Sequence, residues 1–260
     1  MPSKIGNISF DSLSTAFVIL GVISFLIILL DIKKHPQKEM PIMNYVWPIN
    51  GLWGSIFVLW AYFTIGKHRK MDMSGMKMDM DMKMDDMGNM KMDKDCHMDM
   101  SDMKMEKEIS NEYSAFWQGV IADTLHCGAG CSLADLVGPW IFLIIPFTLF
   151  GQLTYGEWVV DFILALVIGA TFQYGAISPM LNKKGKDVWL KALKIDFLSL
   201  TAWQIGMYGW MGFATFYLFG RFTPFDMEFW FMMQIAMCCG FITSYPMNWI
   251  LVKLGIKMGM

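Results

Sequence analysis

The chain has 260 residues, 55% of them hydrophobic, with 11 Trp, 20 Phe and a formal net charge of −2. That apolar load exceeds what the surface of a soluble domain usually tolerates. The charges sit in loops and form no basic stripe for nucleic acid, and five Cys in so long a chain do not make a small secreted disulfide scaffold.

Six apolar stretches suit a hydrocarbon core of roughly 30 Å, which takes about 20 helical residues. They are 13–32, 44–65, 133–149, 158–177, 197–219 and 228–252. The predicted fold class is therefore all-α: a polytopic transmembrane helical bundle of about six spans with a disordered Met-rich loop. The first run lacks a small-residue cleavage site and ends at Asp31, Ile32, Lys33 and Lys34, so it reads as a retained signal-anchor helix. Three regions follow: a two-span hairpin over 1–66, a disordered Met-rich metal-binding loop over 67–109, and a four-span domain over 110–260. Trp47, Trp60, Trp158, Trp230 and Trp249 lie toward span ends, where an indole suits the membrane interface. Pro48, Pro139, Pro146, Pro179 and Pro246 predict kinks, because neighbouring helices can satisfy the backbone groups they free.

With the N terminus inside, Lys4, Lys67, Arg69, Lys70, Lys183, Lys184, Lys186, Lys191, Lys194, Lys253 and Lys257 fall inside. Lys33, Lys34, Lys38 and Arg221 fall outside. The positive-inside rule then places both termini and the long loop in the cytoplasm of a multi-pass cell (inner or plasma) membrane protein. Segment 113–126 is too short to span and holds Asp123. It reads as a surface amphipathic helix or a re-entrant half-helix that leaves the number of crossings unchanged.

The stretch 71–105 holds fourteen of the 27 Met and no Phe, Tyr, Trp or β-branched residue. Counted on to Glu108 it has eleven acidic groups against six Lys. Such a segment buries too little apolar surface to offset its chain entropy and is expected to be disordered without a ligand. Thioether sulfur is soft, uncharged and has no proton to displace. It suits Cu(I) or Ag(I) and suits Zn(II), Mg(II) or Ca(II) poorly. Met73, Met76, Met78, Met80, Met82 and Met84 typify the alternating donors, and Cys96 and His97, followed by Met98, add a thiolate and an imidazole. The acidic residues raise the local cation concentration. The rival reading is a low-complexity expansion with no selected role. Methionine motifs are most useful in oxidising compartments, whereas the charge count puts this loop in the cytoplasm.

His126, Cys127 and Cys131 enclose Gly128, Ala129 and Gly130. Two glycines permit a tight positive-φ turn that aims both sulfurs and the imidazole at one point, a three-coordinate soft-metal site. Asp123 and Asp135 are placed to orient His126 by accepting hydrogen bonds. Two other readings stay open: a redox disulfide of Cys127 and Cys131, although the spacing is Cys-x3-Cys, and a structural bend made of small residues.

Three stretches carry a resemblance: His126 to Cys131; the run Leu200-Thr-Ala-Trp-Gln-Ile-Gly-Met-Tyr-Gly-Trp210; and Thr243-Ser-Tyr-Pro-Met-Asn-Trp249. Together they resemble an uncharacterised bacterial family of multipass membrane proteins, known only as a domain of unknown function. The likeness covers about 110–257 and leaves the Met-rich loop outside. It implies the membrane fold and a common role for these motifs, and supplies no activity.

Met207 and Met211, four apart, share one helical face, a spacing similar to the pore of high-affinity copper importers. Packing is the competing reading. Met237, Cys238 and Cys239, with Met233 one turn earlier, offer a second sulfur-rich face, so the spans can hold a stepwise sulfur path. Gln173, Gln204 and Gln234 lie in three separate spans, where interhelical hydrogen bonding is the expected role, typically about 0.6 kcal/mol each. Gly206, Gly209 and Gly212 are expected to let another helix approach. Asp161 and Asp196 lie near span starts, and His35, Met40 and Met43 make a weaker external cluster. No phosphate loop, dinucleotide fingerprint, metalloprotease motif or nucleophile elbow is present, so no nucleotide cofactor is expected.

The expectation is a Cu(I) or Ag(I) transporter or homeostasis protein of the lipid bilayer rather than an enzyme, partnered by a metallochaperone or by further copies of itself. The alternatives are a membrane thiol oxidoreductase using Cys127 and Cys131, and a non-catalytic assembly scaffold.

Overall fold

The computed structural model describes residues 4–5, 8–37, 40–67, 115–181, 185–221, 223–254 and 256–257. The Met-rich loop, with Met73, Met76, Met78, Met80, Met82, Met84, Cys96 and His97, lies outside the described residues. A two-residue antiparallel pair, β1 (Lys4–Ile5) and β2 (Ile8–Ser9), precedes the helices. They are α1 (Phe10–Lys34), α2 (Met43–Ala61, continued by the π-helical turn Tyr62–Gly66), α3 (Phe116–Ile144) and α4 (Leu153–Leu181). Next come α5 (Lys186–Phe213, continued by the π-helical Ala214–Phe219) and α6 (Met227–Lys253). Five stretches are long and apolar enough to cross a membrane: α1, Met43–Gly66, α3, Leu153–Gly175 and α6. Ile19, Leu30, Ile163, Ile205 and Ile242 face outward while Asp123, His126, Asp135, Gln204 and Asn248 are buried. This inversion of the soluble pattern is that of a membrane protein.

Two elements differ from the expectation. The described part of the short predicted segment and most of the third apolar span join in one continuous helix, α3, of 29 residues over Phe116–Ile144. The predicted turn at 126–131 is ordinary helix, and every residue from Gly119 to Cys131 is buried. Gly128 and Gly130 serve close packing rather than a bend. A Cβ on Gly128 would meet the ring of Trp203 in α5, and one on Gly130 would lie 2.7 Å from the Cα of Gly169 in α4. The helix is thus encased by α2, α4, α5 and α6. Pro139 lies within it and Pro48 and Pro246 within α2 and α6, as expected of membrane helices whose neighbours support the backbone.

The second difference is α2, which does not run straight. Ser55 has φ +42° and ψ −119°, outside helical space, and there the chain doubles back. Trp47 and Tyr62 pack edge to face at 5.7 Å, although fifteen residues of straight helix would separate them by about 22 Å. Gly66 lies against the Trp47 indole, the Gln37 side-chain amide donates to the Gly66 carbonyl at 2.9 Å, and Lys67 pairs with Asp31 at 2.8 Å. The predicted second span is therefore a re-entrant hairpin of two half-helices, 43–54 and 56–66. Each is about 18 Å long, a little over half of a hydrocarbon core. Such a hairpin is tolerated at membrane depth only when packed on protein. Here Asn50 Nδ2 donates to the Leu125 carbonyl of α3 at 2.8 Å, and Gln234 Nε2 of α6 donates to the Leu52 carbonyl at 2.7 Å.

The hairpin corrects the predicted topology. Phe10 stacks on Phe219 at 4.8 Å, so the start of α1 and the end of α5 share one end of the bundle. Lys257 contacts Asp123, which puts the close of α6 and the start of α3 at the other. The described termini are on opposite sides, not the same side. Lys33, Lys34, Lys67, Lys253 and Lys257 gather at the second end and Arg221 stands at the first. The bias expected of the positive-inside rule is sharper than the sequence reading allowed, because Lys33 and Lys34 no longer stand against it, and of the described residues counted inside only Lys4, just before α1, moves to the Arg221 end.

Candidate functional site: a buried column along helix α3

Asp123, Cys127, Cys131 and Asp135 recur every four residues, so they form a single row winding slowly along α3. All four are at most 1% exposed. The row runs from the Lys-rich end of the bundle toward the Arg221 end, past the depth of the hairpin tip. Cys127 lies against the Asp196 carboxylate of α5, and the Cys131 thiol against Cys127. Both cysteines are free thiols.

Each end of the row has a cation. At the Lys-rich end Lys257 Nζ is 3.3 Å from Asp123 Oδ2, both residues fully buried. At the other, Arg221 is 3.7 Å from Glu157 of α4 and lies over the Phe142 ring. Between them the carboxyl groups of Asp135, and one oxygen each of Asp161 and Asp196, are buried with no hydrogen-bond partner among the described residues. An ionised carboxylate left unpaired in such surroundings costs several kcal/mol. Such a group is relieved either by a bound proton or by a cation beside it.

Two cavities adjoin the Asp135 end. One is about 20 Å³, room for roughly one water, lined by Thr154, Glu157, Asp161, Met207, Met211 and Arg221 among others. The second, about 290 Å³, lies over the hairpin tip between α1, α3 and α6, and Asp135, Ser132, Met233, Gln234, Met237 and Trp53 are among its lining residues.

The structure redistributes the predicted donors. Met207 and Met211 are buried and face the smaller cavity, and Met233 lines both. Met237 is buried beside Ser132, with sulfur and hydroxyl 4.0 Å apart. Cys238 faces outward and Cys239 is half-buried, so the predicted sulfur face of the sixth span reduces to its methionines. His126 does not join Cys127 and Cys131. One helical residue is a 100° rotation, which turns its ring toward Phe172 of α4 (6.1 Å), and both ring nitrogens are buried without a hydrogen bond among the described residues. Neither Asp123 nor Asp135 hydrogen-bonds to it. Among the described residues no three His, Cys, Asp or Glu converge as a metal cluster. The outer cluster also disperses, since His35 pairs with Asp31 at 3.5 Å and Met43 is buried in the core.

Of the three glutamines, Gln234 is the interhelical tie expected, whereas among the described residues neither amide atom of buried Gln204 is hydrogen-bonded and the Oε1 of Gln173 has no partner. Gly206 admits α6 closely, against Thr243 and the Cys239 carbonyl, and Gly212 faces Trp158, but Gly209 meets no neighbour.

Sequence reasoning missed Lys257, Asn248, Asn50, Glu157 and Arg221. The signal for Asn50 and Asn248 was present, an amide in an apolar run. Lys257 had none, since a lysine after a last helix reads as a solvated charge. The Asp-x3-Cys-x3-Cys-x3-Asp row becomes legible once 116–144 is taken as one helix.

No curated protein and no solved structure matches the chain. A family match covers residues 116–257, beginning after the Met-rich loop and containing the whole column, so the chain belongs to the family described as a domain of unknown function, DUF4396.

Proposed function

We propose that the protein carries a soft monovalent cation, Cu(I) or Ag(I), through a cell (inner or plasma) membrane along the α3 column. The observation that supports this most is the buried row Asp123, Cys127, Cys131 and Asp135, flanked by the thioethers of Met207, Met211, Met233 and Met237. Soft sulfur donors suit these ions, and the carboxyls of Asp135 and Asp161, which have no ion pair among the described residues, can offset their charge inside the bilayer. Donors spread along a path rather than gathered in one cluster suit conduction, which needs sites weak enough to leave. The cavity over the hairpin tip is the mouth on the Arg221 side, and the Met-rich loop, whose described flanks lie at the Lys-rich end, collects or buffers the ion there. A metallochaperone or a further copy of the chain is the expected partner.

The test is silver uptake into proteoliposomes, read by elemental analysis, for the native chain and the Cys127→Ser/Cys131→Ser chain. Uptake that depends on both thiols supports the reading. A native chain that moves no silver, or a double variant that moves as much, defeats it.

A second reading has one observation behind it: Cys127 and Cys131 are contacting free thiols one turn apart, as a membrane thiol oxidoreductase would need. Trapping of a mixed disulfide with a partner protein, together with unchanged silver uptake in the double variant, would favour it.

A further inference from the structure

The C-terminal segment turns back after α6. Leu254 N–H donates to the Ile250 carbonyl, and the N–H groups of Ile256 and Lys257 both donate to the Leu251 carbonyl, at 3.1 and 3.2 Å. This hook directs the Lys257 side chain into the bundle, where it is 0% exposed. Its ammonium donates to Asn248 Oδ1 at 2.8 Å and lies 3.3 Å from Asp123 Oδ2. Behind these stands a built shell of oxygen groups. Ser199 Oγ donates to the same Asn248 oxygen at 2.9 Å, the Asn248 amide donates to the Ser244 carbonyl and hydroxyl at 3.1 and 3.0 Å, and Ser244 Oγ donates to the Ser199 carbonyl at 3.1 Å. Asp196 adds negative charge from α5. Burial by itself would lower the basicity of Lys257, but Asp123, Cys127 and Asp196 outweigh it and hold the amine above the ordinary lysine value.

We infer that Asp123 and Asn248 form a binding site for a small, oxygen-seeking monovalent cation, which the chain fills with its own Lys257 ammonium. The ligands are a carboxylate and an amide oxygen, hard donors that suit an alkali-type ion and not the soft ion assigned to the thiols. A buried pair of oxygen ligands from α3 and α6 that accepts one positive charge takes either a tethered ammonium or a free cation of similar charge. Of the described hook residues Leu254 and Ile256 are exposed, and few backbone bonds hold them, so the hook is the part able to withdraw. When a free cation takes the site, Lys257 leaves with the tail, and the Lys-rich end of the column opens. The site shares Asp123 with the proposed column, but its readout, the reactivity of Lys257 in different salts, does not depend on silver or on the thiols.

Amine acylation of the native protein, read peptide by peptide by mass spectrometry, tests it. Lys253, exposed at the end of α6, is the internal reference. In choline chloride, whose cation is too large for the site, Lys257 is expected to react about tenfold or more slowly than Lys253. In potassium or sodium chloride of equal ionic strength its reactivity rises severalfold while that of Lys253 is unchanged. An Asp123→Asn chain is expected to leave Lys257 reactive in every salt. Protection of Lys257 that is the same in choline and in both alkali salts overturns the inference and leaves a plain structural ion pair. Lys257 as reactive as Lys253 in choline overturns it too.

Discussion

Lys67 reaches back to Asp31 across 36 residues of sequence, with a nitrogen–oxygen distance of 2.8 Å. Two successive crossings would hold these residues at opposite faces of the membrane. The pair exists because the chain reverses at Ser55. Cysteines placed at Lys34 and Lys67, in a background with Cys96, Cys238 and Cys239 changed to Ser, are therefore expected to react with an impermeant thiol reagent from the same side. Labelling from opposite sides would restore the predicted second span.

The thiol row makes a graded prediction for cargo. Cys127→Ser or Cys131→Ser alone should lower silver uptake about tenfold, the loss expected if one donor contributes about 1.4 kcal/mol. Cys238→Ser, facing outward, should leave uptake within twofold, a change of under about 0.5 kcal/mol. Equal losses at all three positions would remove the column from the mechanism.

Two buried carboxyls on the same helix should behave in opposite ways. Asp123→Asn breaks the buried pair with Lys257, a loss that typically costs about 3–5 kcal/mol when the charge stays buried, and withdrawal of Lys257 to water recovers only part of it. Asp135 has no cationic partner to strand, so Asp135→Asn should change stability by less than about 1 kcal/mol while reducing uptake. Thermal unfolding in detergent, beside the uptake assay, separates the two.

Packing around Trp203 supplies a test free of function. Gly128→Ala drives a methyl group into three ring atoms of a fully buried indole and should destabilise by about 1–3 kcal/mol. The same change at Gly209, where a Cβ meets nothing within 4 Å, should be neutral or stabilising by up to about 1 kcal/mol through helix propensity. Comparable losses of thermal stability at both glycines would contradict the close approach of α5 to α3.

The tie between hairpin and column is Asn50, which donates to the Val46 and Leu125 carbonyls and accepts from the Trp53 indole at 3.0 Å. Asn50→Ala should cost about 1–3 kcal/mol, because it strands the buried Trp53 donor. Loosening should be local, with faster hydrogen exchange over 43–66 than over α4. Uniform acceleration would instead show that the hairpin unfolds only with the whole bundle.

Hydropathy alone determined that this is a helical membrane protein, which residues form its apolar stretches, and that carboxylates, amides and thiols lie inside them. Those conclusions rest on composition and local periodicity, which a bilayer reads residue by residue. The tertiary structure decided how the stretches are used. A 24-residue apolar run is long enough to cross or to fold in half, and only the contacts of Trp47, Tyr62, Gly66 and Lys67 show that it folds. The glycines between Cys127 and Cys131 can bend a chain or admit a neighbour, and the arrival of Trp203 and Gly169 selects the second. Lys257 counts as a surface charge until the hook after α6 carries it to Asp123. In each case the sequence allows two conformations of similar local energy, and long-range packing, which no local pattern encodes, chooses between them.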